Sequence, residues 1–252
     1  MDPNSKLYPW YWVPQSEVNK RFVKAARNGI VEWEWQHNWL IAYRAIMESH
    51  DSRSFVVSLL PITSGAGNSA ILLFADQTTF KAMALIGMLS SLVMDYCARQ
   101  KLGGKNMNVF VVRQLPVLTP EQIPDDIQWE IVKRVVELCY FNHDLDEWAE
   151  ELWKELNDVQ KKELSKLGNK ECYSYEVGRR AIVQAELDAI FAHLYGLTTN
   201  ELRYILDPED ICGEGCINET FRVLKDKEIN EYGEYRTKRL VLEAWENFGY
   251  DN

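Results

Sequence analysis

Residues 79–97, TFKAMALIGMLSSLVMDYC, place apolar side chains on more than one face of any helix they form. Such a segment has no solvent side, so the rest of the chain has to enclose it. A buried helix is therefore expected over 79–97, with Gly103-Gly104 ending it. Ahead of it lie three short apolar runs, at 39–46, 55–60 and 70–74, each bounded by turn-forming residues. Their length and β-branched or aromatic content favour strands. Residues 63–69, rich in Gly and Ser, read as a mobile loop. Residues 108–115 alternate and are expected to return to the sheet as a strand. Nearer the N-terminus, Ser16 is placed to cap a helix running through Arg27 and closed by Asn28-Gly29.

After residue 118 the pattern changes to helices. Thr119-Pro120-Glu121-Gln122 combines a capping Thr, a first-turn Pro and a Gln at the capping-box position. Residues 126–167 read as helices with acidic faces, and 174–195 as another with Gly196 at its C-cap. Thr198 and Glu201 form a second capping box opening a short helix to Leu206, and 234–248 is the last helix. The expected fold is α+β: a small mixed sheet with a long buried helix over 6–118, then a mainly helical support or docking region over 119–252. The first five residues, Met1-Asp2-Pro3-Asn4-Ser5, resemble the remnant of a cloning linker and are set aside.

Net charge is −10, which by itself opposes a phosphate-bearing partner. The distribution is uneven. Residues 6–113 carry 12 Lys/Arg and 7 Asp/Glu, residues 114–197 carry 9 and 17, and residues 198–252 carry 7 and 13. A basic first half joined to acidic helices suits a DNA-facing module on a helical support. No apolar run reaches the length of about 18 residues that a membrane span needs, and no signal peptide is evident. No membrane partner is expected. The five cysteines, 97, 139, 172, 212 and 216, are scattered and odd in number, and read as reduced thiols of a cytoplasmic protein. Cys212 and Cys216 lack partners to complete a zinc set.

Catalytic signatures are missing. There is no Gly-rich cofactor loop, no Asn/Asp-Pro-Pro-Tyr/Phe loop, no Walker lysine and no Gly-x-Ser-x-Gly elbow. Gly65-x-Gly67 lacks the third glycine of a nucleotide loop. Asp146, Glu147, Glu150 and Glu151 have helical spacing and read as a solvated face. The histidines 37, 50, 143 and 193 show no ligand spacing, and His193 reads as a core histidine.

Residues 95–108, DYCARQKLGGKNMN, continuing to RQLPV at 113–117, resemble the "DYxxRQKxGGxxxN…QLPV" stretch of a known specificity region. Upstream, YWV at 11–13, WLIAYR at 39–44, Asp51-x-Arg53 and Leu60-Pro61 are similar to the same region. Downstream, AELDA at 185–189, HLYGL at 193–197, YILD at 204–207 and GEYRTKRL at 233–240 are similar to its tail. The chain thus resembles, over nearly all of its length, the C-terminal target-recognition region of type IIG restriction–modification enzymes and related phage-defence adenine-N6 DNA methyltransferases. The resemblance implies recognition of double-stranded DNA, with S-adenosylmethionine and the chemistry, including base flipping, belonging to a partner methyltransferase domain or subunit. In that family the region follows a methyltransferase domain, and sometimes a nuclease domain, so the resemblance implies that these 252 residues are a fragment or a split subunit.

The residues themselves point partly the same way. From Ala98 to Leu115 there are four basic residues, Arg99, Lys101, Lys105 and Arg113, and no acid. Asn106, Asn108 and Gln114 can pair with adenine edges or phosphates, and arginine with guanine. A basic turn with ordinary C-cap glycines is the plainer alternative. Arg44 and Arg53 flank strand-like runs and are further candidates for DNA contact. Arg236, Lys238 and Arg239, near the start of the last helix, can meet phosphate or pair with the acidic helices. The Trp/Tyr clusters at 8–12 and 33–39 can stack on bases, although packing is the commoner use of so much aromatic area. Two other readings stay open: an interaction module that docks partners of a phage-defence complex through its acidic helices, and an enzyme with a dispersed active site.

Overall fold

The computed structural model describes residues 2–5, 12–25, 29–48, 51–213, 216 and 220–249. The fold is α+β with a helical C-terminal half. Among the described residues five strands form two small sheets: β1 (Val23–Ala25) with β2 (Val31–Glu34), and β3 (Trp39–Arg44) between β4 (Val57–Pro61) and β5 (Ala70–Leu73). Every described strand pair is antiparallel, so the sheets are not mixed as expected. The three apolar runs became β3, β4 and β5. In β3, residues 39–43 are all buried, which is why its run is continuous rather than alternating.

The N-terminal helix is shorter than the sequence suggested. α1 covers only Gln15–Asn19, a 3₁₀ turn carries the chain to Phe22, and β1 follows at once. Phe22 is buried with its ring edge-on to Phe74, and its carbonyl accepts from the Trp35 N–H. Tertiary pairing of Val23 and Lys24 with Glu34 and Trp33 outcompetes continuation of a helix that has no buried face of its own.

The long buried helix is in fact two, α2 (Thr79–Leu89) and α3 (Leu92–Lys101), bent by 61°. Ser91 makes the break. Its hydroxyl donates to the Met88 carbonyl and accepts from the Met94 N–H, so one side chain ends the first helix and caps the second. Asp188, on a later helix, accepts the Leu92 N–H at 2.7 Å. Among the described residues no single helix is long and apolar enough to cross a membrane.

Residues 109–112 also depart from expectation. They form the one-turn helix α4 (Val109–Val112), capped by Asn108, and the chain rejoins the sheet earlier. Ile46 bridges Asn106, the Met107 N–H donates to the Ala45 carbonyl, and the Met47 N–H donates to that of Lys105.

The C-terminal half contains α5 (Asp125–Cys139), α6 (Asp146–Glu155), α7 (Asp158–Glu163), α8 (Ser165–Gly168), α9 (Val177–Leu194), α10 (Thr199–Leu206), α11 (Glu209–Cys212), α12 (Arg222–Tyr232) and α13 (Arg236–Asn247). Both capping boxes form, at Thr119–Gln122 and Thr198–Glu201. Gly196 closes α9 at φ +68°; its N–H meets the His193 carbonyl and that of Leu197 reaches Ala192, the paired bonds of a Schellman end.

The larger core spans both halves. Trp39, Ile41, Met83 and Ile86 pack with Ile131, Val135, Trp148 and Phe191. Gly87 lets α2 approach closely, since a Cβ there would lie 3.0 Å from Ile131 and 3.2 Å from Phe191. A second cluster joins Leu92, Ala189, Ala192, Leu206, Phe221 and Val241. Helix α9 serves both: Leu187, Ile190 and Phe191 belong to the first and Ala185, Ala189 and Ala192 to the second.

Candidate nucleic-acid interface

The residues singled out for DNA contact fall into two sets. The first fastens the fold. Arg53 donates to Asp188 Oδ2 at 2.9 Å, and Asp188 is 1% exposed. Burial pushes the Asp188 carboxyl up, while the guanidinium and the Leu92 N–H pull against that shift. Asp95, equally buried, accepts the N–H groups of Ser54 and Phe55. Arg99 lies over the Phe221 ring at 4.9 Å, donates to the Ser52 and Thr220 carbonyls, and stands 3.4 Å from Asp95. Arg44 grips Asp51 with both terminal nitrogens and reaches the Arg53 carbonyl. Arg53, Asp95, Arg99 and Asp188 thus tie residues 52–55, α3, α9 and the approach to α12 into one buried polar knot.

The tail cations are also engaged. Lys238 lies 3.1 Å from Asp207 and 2.5 Å from Asp210. Arg239 is paired with Glu234 and Glu243. Arg236 covers the Tyr232 ring and donates to the Gly178 carbonyl. Lys238 thus ties α13 to Asp207 and Asp210, Arg236 ties it to α9 and α12, and the Arg239 pairs are local and exposed.

The second set stays on the surface, where α3 ends and α4 begins. Lys101, Gly103, Gly104, Lys105, Asn106, Asn108, Val109, Phe110, Arg113 and Gln114 are all exposed. Lys101 and Arg113 make no ion pair with any described residue. Lys105 meets Glu48 at 2.8 Å, but both side chains are largely in water, where such a pair contributes little. A Cβ on Gly103 or Gly104 would find nothing within 4 Å, so the backbone there is open to close approach. The base beneath is firm. Met107 is fully buried, Val111 and Leu115 nearly so. Asn108 Oδ1 accepts the Val111 N–H at 3.0 Å, and Gln114 Nε2 donates to the Phe110 carbonyl at 3.1 Å. Asn108 and Gln114 are therefore engaged locally, whereas the Asn106 side chain is exposed and makes no hydrogen bond to a described residue.

Sequence reasoning missed Glu151. Expected on a solvated face, it is half-buried and accepts from Thr79 Oγ1, Trp39 Nε1 and the Asn38 N–H, with His37 Nδ1 beside it. These bonds hold its carboxyl below the usual range against the burial that raises it. Glu155, one turn on, accepts the Thr79 and Phe80 N–H groups at the start of α2. A buried partner for a helix-face glutamate leaves no trace in the spacing. Trp33 and Trp35 pack on Phe74, and Trp35 on Trp39, so this cluster serves packing. Residues 8–11 of the other cluster, and His50, lie outside the described residues.

His143, Asp146 and Cys172 bring ligand atoms within 4.8 Å of one another. Hydrogen bonds account for that grouping, because Tyr140 donates to Asp146 Oδ1 at 2.7 Å and His143 Nδ1 lies 3.1 Å from the same oxygen. His193 stacks on Trp245 at 3.6 Å, and burial holds its imidazole below the ordinary 6.5. Between the lowered value and 6.5 the unfolded chain binds more protons than the folded one, so stability falls as pH drops through that window. Urea midpoints measured from about pH 7 down to about pH 5 are expected to decline, and to decline less in His193→Phe. Equal slopes would remove His193 as the source.

Comparison with protein-family models, with curated proteins and with solved structures found no match to this chain.

Proposed function

We propose that this chain recognises double-stranded DNA for a methyltransferase domain or subunit that binds S-adenosylmethionine and performs the chemistry. The observation that carries the reading is the 101–114 surface: Lys101, Lys105 and Arg113 stand in water with no acid between residues 98 and 115, on a backbone fixed from below. Phosphate contacts set register, and a side chain such as Asn106 is free to meet a base edge. The resemblance of the 95–117 segment to target-recognition regions supports the same reading. Arg53, Arg99 and Lys238 drop out of the contact set, since moving them to phosphate would break the partly buried pairs described above.

The test is fluorescence anisotropy of the chain with a labelled duplex over a salt series. Wild-type affinity is expected in the non-specific range at physiological salt, a Kd of about 10⁻⁴–10⁻⁶ M, and higher at low salt. Lys101→Glu with Arg113→Glu is expected to weaken binding and lower the slope of log K against log salt by about 2, near 0.9 for each phosphate no longer neutralised. Lys238→Gln, on the tail, whose cation is taken up by Asp207 and Asp210, is expected to bind like wild type. A chain that ignores duplex DNA at low salt, or a double variant that matches wild type, would sink the proposal and favour the alternative of a module that docks protein partners.

A further inference from the structure

We infer that Phe110 is a base-stacking wedge, entering an opened step of duplex DNA when the 101–114 surface engages it. The inference rests on the reading of that surface as a DNA face. Its starting point is the ring itself, 74% exposed, beside Val109 at 45%. An aromatic side chain this far into water forgoes the burial that ordinarily places it in a core.

The turn that carries the ring is also held in position. The Phe110 carbonyl accepts from Gln114 Nε2, Asn108 caps the same turn, and Val111 faces inward. Arg113, three residues on, shares the outer side of the turn with Phe110. Lys101 and Lys105 precede it within the same exposed stretch.

A flat apolar group bordered by cations complements a partner with negative charge outside and flat apolar faces within. Nucleic acid has that make-up: phosphates flank stacked bases, and aromatic side chains stack on bases of any sequence. In a duplex the bases are reached by prising a step apart, as apolar wedges do in bent complexes. Pyrimidine–purine steps open at least cost. The wedge is therefore expected to prefer TA and CA steps without hydrogen-bonding to them.

The experiment uses the whole chain with duplexes carrying 2-aminopurine at a TA step, and reads anisotropy and probe fluorescence together. Wild type is expected to raise the fluorescence on binding. Phe110→Ala is expected to abolish the rise and weaken binding about 5- to 10-fold, as removal of one stack does, with an unchanged salt slope because no charge is removed. Its thermal melt is expected to match wild type. If the Lys101→Glu, Arg113→Glu variant loses binding but wild type leaves the probe dark, the wedge is wrong and the DNA face stands. If the charge variant binds normally, the DNA face itself is wrong, and the wedge with it. A chain that self-associates in the ultracentrifuge, becomes monomeric as Phe110→Ala and leaves the probe unmoved would make the ring a contact between copies and overturn the inference.

Discussion

Asp188→Ala is expected to lower unfolding stability by about 3–5 kcal/mol, the usual consequence of removing one member of a buried ion pair. The side chain is 1% exposed, and both oxygens are used. Oδ2 takes the Arg53 guanidinium and Oδ1 the first N–H of α3. Deleting it leaves a cation without its partner and a helix start without its acceptor. Asn at 188 keeps the shape and can still accept from Leu92, so Asp188→Asn is expected to cost less than Ala while retaining the charge defect. Replacing both partners, with Arg53→Met and Asp188→Leu, is expected to cost less than Asp188→Ala, since no charge is stranded. Urea midpoints for the singles and the double close a mutant cycle. A drop of under about 1 kcal/mol in Asp188→Ala would place the pair among surface-like bridges.

A chain ending at residue 118 is expected not to fold. The boundary in composition there is real, but the core ignores it. Met83 and Ile86 on α2 share one cluster with Ile131 and Val135 on α5, Trp148 on α6 and Phe191 on α9. Each large apolar side chain fully withdrawn from water contributes about 1.5–3 kcal/mol. Uncovering four or five of them removes as much as a whole domain's net stability of about 5–15 kcal/mol. Calorimetry of residues 6–118 should show no cooperative transition, whereas the full chain should melt in one. A sharp melt from the fragment would make the two parts separate domains and relegate the shared cluster to an interface.

The secondary elements that local chemistry controls are legible in the residue pattern alone. β3, β4 and β5 sit in the three apolar runs. Thr119, Thr198 and Gly196 mark the helix ends where their residue types place them, because a cap is satisfied within a few residues of itself. The 98–115 segment stands out by charge alone, and its cations Lys101, Lys105 and Arg113 do reach the surface. What the residue pattern leaves undecided has its partners far along the chain. Ser90-Ser91 looks like a continuous helix until Asp188, 96 residues beyond Leu92, takes the Leu92 N–H. Residues 109–112, VFVV, have the composition of a strand. They coil instead because residues 105–107 already occupy the bonds beside Ala45 and Met47, and Asn108 offers a cap.

The same division runs through the arginines. Arg53, Arg99 and Arg113 are equivalent in the sequence, each a cation near a strand-like or helical run. Only the tertiary structure sets Arg53 against Asp188 and Arg99 against the Thr220 carbonyl and over Phe221, and leaves Arg113 in water. Composition and spacing determined where cations gather and those elements whose signals are local, such as β3 to β5 and the helix ends at Thr119, Gly196 and Thr198, since capping and periodicity act within a turn or two. Which cations stay in water was decided by long-range packing, because a buried carboxylate's choice of partner is fixed by where helices cross.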